Sequence, residues 1–135
     1  NGSSCTGNAV IPAGANSIGA NAFKASAMTS ISLPATLTSI GDDAFALSTA
    51  LVELSIPDGV VSIGEWAFSS SELLETINLP ASVTSIGNTA FQDSLSLKNI
   101  NVNSANTDFA SVNGVLFNKA LTQLEAYPAG KPAAS

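Results

Sequence analysis

The dipeptide Ile-Gly returns four times, at Ile18-Gly19, Ile40-Gly41, Ile63-Gly64 and Ile86-Gly87, with spacings of 22, 23 and 23 residues. Ala-Phe follows four residues after each Ile, at Ala22-Phe23, Ala44-Phe45, Ala67-Phe68 and Ala90-Phe91. A proline precedes each unit: Pro12, Pro34, Pro57 and Pro80. Three ladders at one period mean a stack of similar units. A unit this short cannot bury its phenylalanine alone, so neighbours must cover one another. The first unit is one residue short, and the gap falls after Ser26. Phe23 to Met28 is five residues, while Phe45 to Leu51, Phe68 to Leu74 and Phe91 to Leu97 are six.

An apolar triplet spaced +3 and +2 follows each Ala-Phe: Met28/Ile31/Leu33, Leu51/Leu54/Ile56, Leu74/Ile77/Leu79 and Leu97/Ile100/Val102. This is the LxxLxL spacing of a leucine-rich-repeat strand, and its alternation suits a strand with one buried face. Pro34, Pro57 and Pro80 end the strands, since proline cannot donate to a ladder. The Ile40-Gly41-Asp42-Asp43-Ala44-Phe45 segment then turns into a short helical or 3-10 piece, with Gly supplying the bend and Asp a cap.

The pattern LPxxVTSIGxxAFxxSxxLxxIxLP resembles the BspA-like class of leucine-rich repeats. It is clearest from Leu33-Pro34 to Ile56-Pro57 and over 79–87. That class often has Cys at the third place after Phe, where this chain has Ser26, Ser48, Ser71 and Ser94. The runs 108–119 and 127–131 resemble the hairpin-bearing unit of the same class, so the likeness extends from 10 to 131. It implies an α/β repeat solenoid: a right-handed superhelix with a parallel concave β-sheet, short helical or 3-10 turns, and a β-hairpin insertion near the C-terminus. Residues 1–9 read as a polar leader, 10–102 as four repeats of about 23 residues, and 103–135 as a hairpin-bearing fifth repeat ending a fragment of a longer chain. Independently of the likeness, Asn113-Gly114 between two apolar runs is a strong hairpin signal. Leu121, Leu124 and Ala126 repeat the +3, +2 spacing and read as a fifth strand of the same sheet.

Composition narrows the functional classes. The 135 residues are 45% hydrophobic but only 10% charged, with net charge −6. Four lysines, no arginine and ten acids leave no basic patch for phosphates, which argues against nucleic acid. No apolar run approaches the ~20 residues of a membrane span. The chain lacks histidine and has one cysteine, Cys5, so zinc sites, Ser–His or Cys–His nucleophiles and CxxC pairs each lack a component. No cofactor or metal is expected, nor an enzyme. Cys5 follows small residues, as a lipidation cysteine does, but Gly2 stands where a lipobox wants an aliphatic residue. The alternative is a free thiol, or one with a partner beyond this chain. Asn1-Gly2-Ser3 matches a glycosylation sequon.

The non-leucine strand positions of such a repeat face the concave surface. They form three columns: Thr29, Val52, Glu75, Lys98 and Thr122; Ser30, Glu53, Thr76, Asn99 and Gln123; Ser32, Ser55, Asn78, Asn101 and Glu125. The face is small and polar, without the Tyr, Trp or Arg that anchor most interfaces. It reads as a binding face for a polar or carbohydrate-like partner, or as the solubilising surface of a spacer. Trp66 takes the slot of Asn21, Asp43 and Thr89 and reads as a surface aromatic, for partner contact or for covering its own repeat. The interaction candidates are therefore Trp66, Glu53, Glu75, Asn78, Lys98, Asn99 and Asn101. Asp42, Asp43, Glu65 and Asp93 form an acidic edge without a calcium-loop pattern. Ser17, Ser39, Ser62 and Ser85 form a column flanked by Asn16, Thr38, Val61 and Thr84. It suits either a water-ordering ladder of the ice-binding kind or hydroxyls bonded to nearby backbone. The resemblance implies a surface or secreted protein, extracellular or on the cell surface. Its role there would be adhesion, with another protein or a surface glycan as partner.

Overall fold

The computed structural model describes residues 6–132. Cys5 and the 1–3 sequon lie outside the described residues. Among the described residues twelve strands occur, in chain order: β1 (Thr6–Val10), β2 (Ser17–Ile18), β3 (Ala27–Ser32), β4 (Ser39–Ile40), β5 (Glu53–Ser55), β6 (Ser62–Ile63), β7 (Thr76–Leu79), β8 (Ser85–Ile86), β9 (Asn99–Val102), β10 (Phe109–Val112), β11 (Val115–Asn118) and β12 (Leu124–Ala126). The repeat makes a solenoid in which each coil adds a rung to parallel ladders. One ladder runs β5-β7-β9, with Glu53, Thr76 and Asn99 in register, as are Leu54, Ile77 and Ile100. A second runs β2-β4-β6-β8 and aligns the four serines and four isoleucines of the Ser-Ile repeats. The serine column read from the sequence is thus part of a second parallel sheet.

The core lies between the ladders. Rings of Phe23, Phe45, Phe68 and Phe91 stack at centroid separations of 5.4, 5.3 and 5.9 Å, nearly coplanar at 11°, 2° and 8°. Phe45, Phe68 and Phe91 are buried, and Phe23, at the end of the stack, is half-buried. Ile18, Ile40 and Ile63 are buried beside them, with Ile86 partly so.

The α component and the helical or 3-10 turns are corrected: among the described residues there is no helix. The Ala-Phe segments are chains of tight turns whose N–H groups alternate in direction. Ala44, Ala46 and Ser48 donate three residues back, to the carbonyls of Gly41, Asp43 and Phe45. Asp43, Phe45 and Leu47 donate across to Glu65, Ala67 and Ser69 of the next coil at 2.8–2.9 Å. Every fourth residue pays for this with a left-handed backbone: Asn21 and Ala25, Asp43 and Leu47, Trp66 and Ser70 have φ between 51° and 62°. A right-handed helix cannot propagate through such residues. The Ile-Gly glycines also serve differently from the bend expected of them. None has positive φ; a Cβ at Gly87 would lie 2.5 Å from Glu65 Cα, so close stacking of coils demands glycine there.

Two further expectations change at the ends. The polar leader contains a strand, for β1 pairs in parallel with β3. Pairing uses backbone, so it needs no apolar run, and Asn8 Oδ1 accepts a 2.7 Å bond from Ser30 Oγ. The Asn113-Gly114 hairpin forms as expected, β10 antiparallel to β11, with φ of 51° and 81° at its two turn residues. However, β12 pairs antiparallel with β11 instead of continuing the repeat sheet. The hairpin already occupies the sheet edge: Ile100 N–H donates to Gly114 O at 2.8 Å and Val102 N–H to Ser111 Oγ at 2.9 Å. Leu121 and Leu124 are left exposed.

Candidate functional site

The outer face of β5-β7-β9 is set by the strand period of two. Leu54, Ile77 and Ile100 point into the core, so their neighbours on each strand point out. Glu53 and Asn101 are exposed, and Asn78 and Asn99 half-buried. Glu75 and Lys98, just ahead of β7 and β9, are exposed and joined through backbone: Glu75 N–H donates to Val52 O at 2.8 Å and Lys98 N–H to Glu75 O at 2.9 Å. The register brings the third column together as a run of amides. Asn101 Nδ2 donates to Asn78 Oδ1 at 3.1 Å, and Asn78 Nδ2 donates to Ser55 Oγ at 3.1 Å and, more loosely, to Glu53 Oε1 at 3.4 Å. Each bond fixes a side chain that would otherwise rotate freely, so the column presents its remaining polar atoms in set positions.

Beside this column lies an open groove of about 480 Å³, whose lining includes Pro57, Asp58, Asn78, Pro80, Asn101 and Asn103. Asp58 and Asn103 escaped the sequence reading because they follow the strands, in turns. The Pro57-Asp58-Gly59 turn motif was the available signal.

Other candidates separate from this face. Trp66 sits in the turn after β6, 38% exposed, and its left-handed φ of 60° is the conformation its slot imposes. It is not on the β5-β7-β9 sheet. Asn99 lies at the seam with the hairpin, its Cα 3.0 Å from where a Cβ at Gly114 would stand. Thr122, Gln123 and Glu125 leave the columns, because they precede or belong to β12, in the antiparallel sheet.

Two members of the acidic edge, Asp42 and Asp43, hold neighbouring coils together. Asp42 Oδ1 accepts the N–H of Glu65 at 2.9 Å, and Asp43 pairs with Lys24 Nζ at 2.9 Å. The helix cap expected of Asp is not formed, since no helix follows it; Asp42 instead bonds the backbone of the next coil. Among the described residues no group of three His, Cys, Asp or Glu side chains is placed to hold a metal ion. The Ser17/Ser39/Ser62/Ser85 ladder is in register, but the column beside it is interrupted by Val61, and the Thr38 hydroxyl is spent on Asn16 O at 2.8 Å. Among the described residues no helix is long and apolar enough to cross a membrane.

Comparison with known proteins follows the same lines. A family model for the BspA type leucine-rich repeat region matches residues 3–125 in six copies. No curated protein matches the chain. Among solved structures, a leucine-rich repeat protein from Eubacterium ventriosum superposes with a TM-score of 0.73 at 29% identity, over 93% of this chain and 40% of that one. The pneumococcal vaccine antigen PcpA gives 0.69 at 32% identity, over 93% of this chain and 38% of its own. A leucine-rich cell surface protein from Faecalibacterium prausnitzii gives 0.56 at 27% identity, over 84% and 36%. The chain thus spans about two fifths of the length of these relatives.

Proposed function

Because the chain belongs to the BspA-type leucine-rich repeat family, we propose that it is a non-enzymatic interaction module of an extracellular or cell-surface protein, binding another protein or a surface glycan. The observation that carries this reading is the outer face of β5-β7-β9, where Asn101, Asn78, Ser55 and Glu53 form one hydrogen-bonded column beside an open groove. An amide column offers paired donors and acceptors at strand spacing, about 4.8 Å, which suits polar ligands with repeated hydroxyls or backbone groups. The surface location is supported by the described relative from Faecalibacterium prausnitzii. The non-enzymatic reading is supported by the carboxylates of Asp42 and Asp43, which are engaged in structural bonds, and by the lack of any histidine.

The test is to immobilise the chain, screen host matrix proteins and glycans, and measure affinity for whatever binds. Glu75→Lys and Asn78→Arg should each weaken it at least tenfold, and Trp66→Ala reports whether the turn side takes part. If all three bind normally while changes at Lys24 or Gln92 abolish binding, the sheet face is not the site. A spacer without a ligand is the second reading. It is favoured by one observation: no Tyr, Trp or Arg stands in the three columns. A screen that finds no ligand supports it.

A further inference from the structure

Three successive coils meet along the segments that join the Ala-Phe turns to the strands. Leu47, Ser70 and Asp93 hold one slot there, two residues after Phe45, Phe68 and Phe91, and all three have left-handed φ, at 59°, 51° and 59°. Backbone bonds fix that conformation: Leu47 N–H donates to Ser69 O at 2.9 Å, and Ser70 N–H to Gln92 O at 2.8 Å. The slot favours Asn, Asp or Gly, which tolerate this backbone best. Leucine also gains little from burial there, for Leu47 is 44% exposed. A residue that suits neither the backbone nor the core points to a role at the surface. Leu95, two residues after Asp93, is 71% exposed. Single exposed leucines are ordinary, but these two line one open groove of about 580 Å³, together with Ser70, Glu72 and Asp93. Its carboxylates differ from those of Asp42 and Asp43, which hold coils together. Among the described residues no lysine pairs with Glu72 or Asp93: Lys24 pairs with Asp43, and Lys119 Nζ donates to Ser104 O. Asp93 Oδ2 accepts a 3.3 Å bond from the amide of the adjacent Gln92. The groove is thus apolar at two leucines, negative at two carboxylates and without a cation in its lining.

We propose that this groove docks a cationic segment of a partner protein. An apolar side chain of that segment rests against Leu47 and Leu95, and flanking Lys or Arg side chains meet Glu72 and Asp93. Charge complementarity selects the occupant, since a cation is the group the lining lacks. A second copy of this chain fits poorly, because it carries a net charge of −6, four lysines and no arginine. None of the lining residues belongs to the three columns of the sheet face. The groove therefore stands or falls apart from the reading of that face.

The experiment is fluorescence anisotropy of the 135-residue chain with labelled peptides of equal length. One sets leucine among lysines, the second replaces its leucine by serine, and the third replaces its lysines by glutamine. The first should bind, and the other two at least about tenfold more weakly. Leu95→Ser, and Glu72→Gln combined with Asp93→Asn, should each weaken the first peptide by about tenfold or more. Leu47→Asn should weaken it as well, while leaving the melting temperature unchanged or raised, because Asn suits the left-handed φ. Raising salt from about 0.05 to 0.5 M should loosen this complex by more than about tenfold, since exposed charges hold it. Four results each overturn the proposal. One is that the leucine–lysine peptide binds no better than its controls. Another is binding that survives the groove variants but is lost in Asn78→Arg, which would assign the peptide to the sheet face. A third is a fall of the melting temperature in Leu47→Asn, which would make that leucine a structural residue. The last is a dimer of the chain that Leu95→Ser dissociates, which would assign the groove to a second copy.

Discussion

Phe68 has a ring stacked on each side, at 5.3 Å from Phe45 and 5.9 Å from Phe91, and none of its surface reaches solvent. Removing it leaves a cavity that backbone-bonded coils cannot collapse to fill. Phe68→Ala should cost about 3–5 kcal/mol, read from chemical denaturation. Phe23→Ala should cost less, because Phe23 is only half-buried and has one stacked ring. An unchanged denaturation midpoint for Phe68→Ala would contradict the ring column. The buried serines carry the opposite chemistry. Ser94 Oγ donates to Phe68 O at 2.6 Å and accepts the N–H of Ser71 at 3.2 Å. Ser94→Ala strips both groups of that partner inside the core, at about 1–3 kcal/mol for each one left unpaired. Ser94→Cys should lose less, since a thiol is a weak donor and acceptor that still occupies the space. Equal losses for the two variants would show that the hydroxyl bonds contribute little.

The elements differ in how far the residues announced them. The β5, β7 and β9 strands were legible because a repeat spacing fixes register: once Leu54, Ile77 and Ile100 are inward, Glu53, Asn78 and Asn101 must face out. The hairpin was legible because Asn113-Gly114 states its own backbone conformation. The Ser-Ile ladder was not, for a strand of two residues has no period to detect. Nor were the turns, since residues such as Leu47 and Trp66 give no local sign of a left-handed φ. Their conformation is imposed by hydrogen bonds to the next coil, which sequence periodicity does not report. The place of β12 depends on a non-local fact, the docking of the Gly114 tip against Ile100, and so the +3, +2 spacing of Leu121, Leu124 and Ala126 misled. The candidate face followed from register and was largely legible, while Asp58 and Asn103 in its groove were not.

Across the whole molecule, neighbouring coils hold one another by stacking and backbone bonds, and among the described residues no three His, Cys, Asp or Glu side chains are placed to hold an ion. A chelator should leave the melting temperature unchanged within about 1 °C, and a fall of several degrees would expose a metal that holds the fold. Charge enters mainly through recognition. The chain carries −6 overall, yet the sheet face sets Glu53 and Glu75 against Lys98 and devotes its ordered column to the amides of Asn78 and Asn101. Exposed charges interact weakly beyond the screening length, about 8 Å at physiological ionic strength. Hydrogen bonds from amides are short-ranged and largely insensitive to salt. A partner held by this column should therefore lose no more than about tenfold in affinity when salt rises from 0.05 to 0.5 M, with most of that loss in the association rate, where long-range steering acts. Titration at the two ionic strengths, with kinetics alongside, decides the matter. A loss above a hundredfold would mean that recognition is led by charge. Binding would then belong to a more acidic surface of the molecule than the Asn78–Asn101 column.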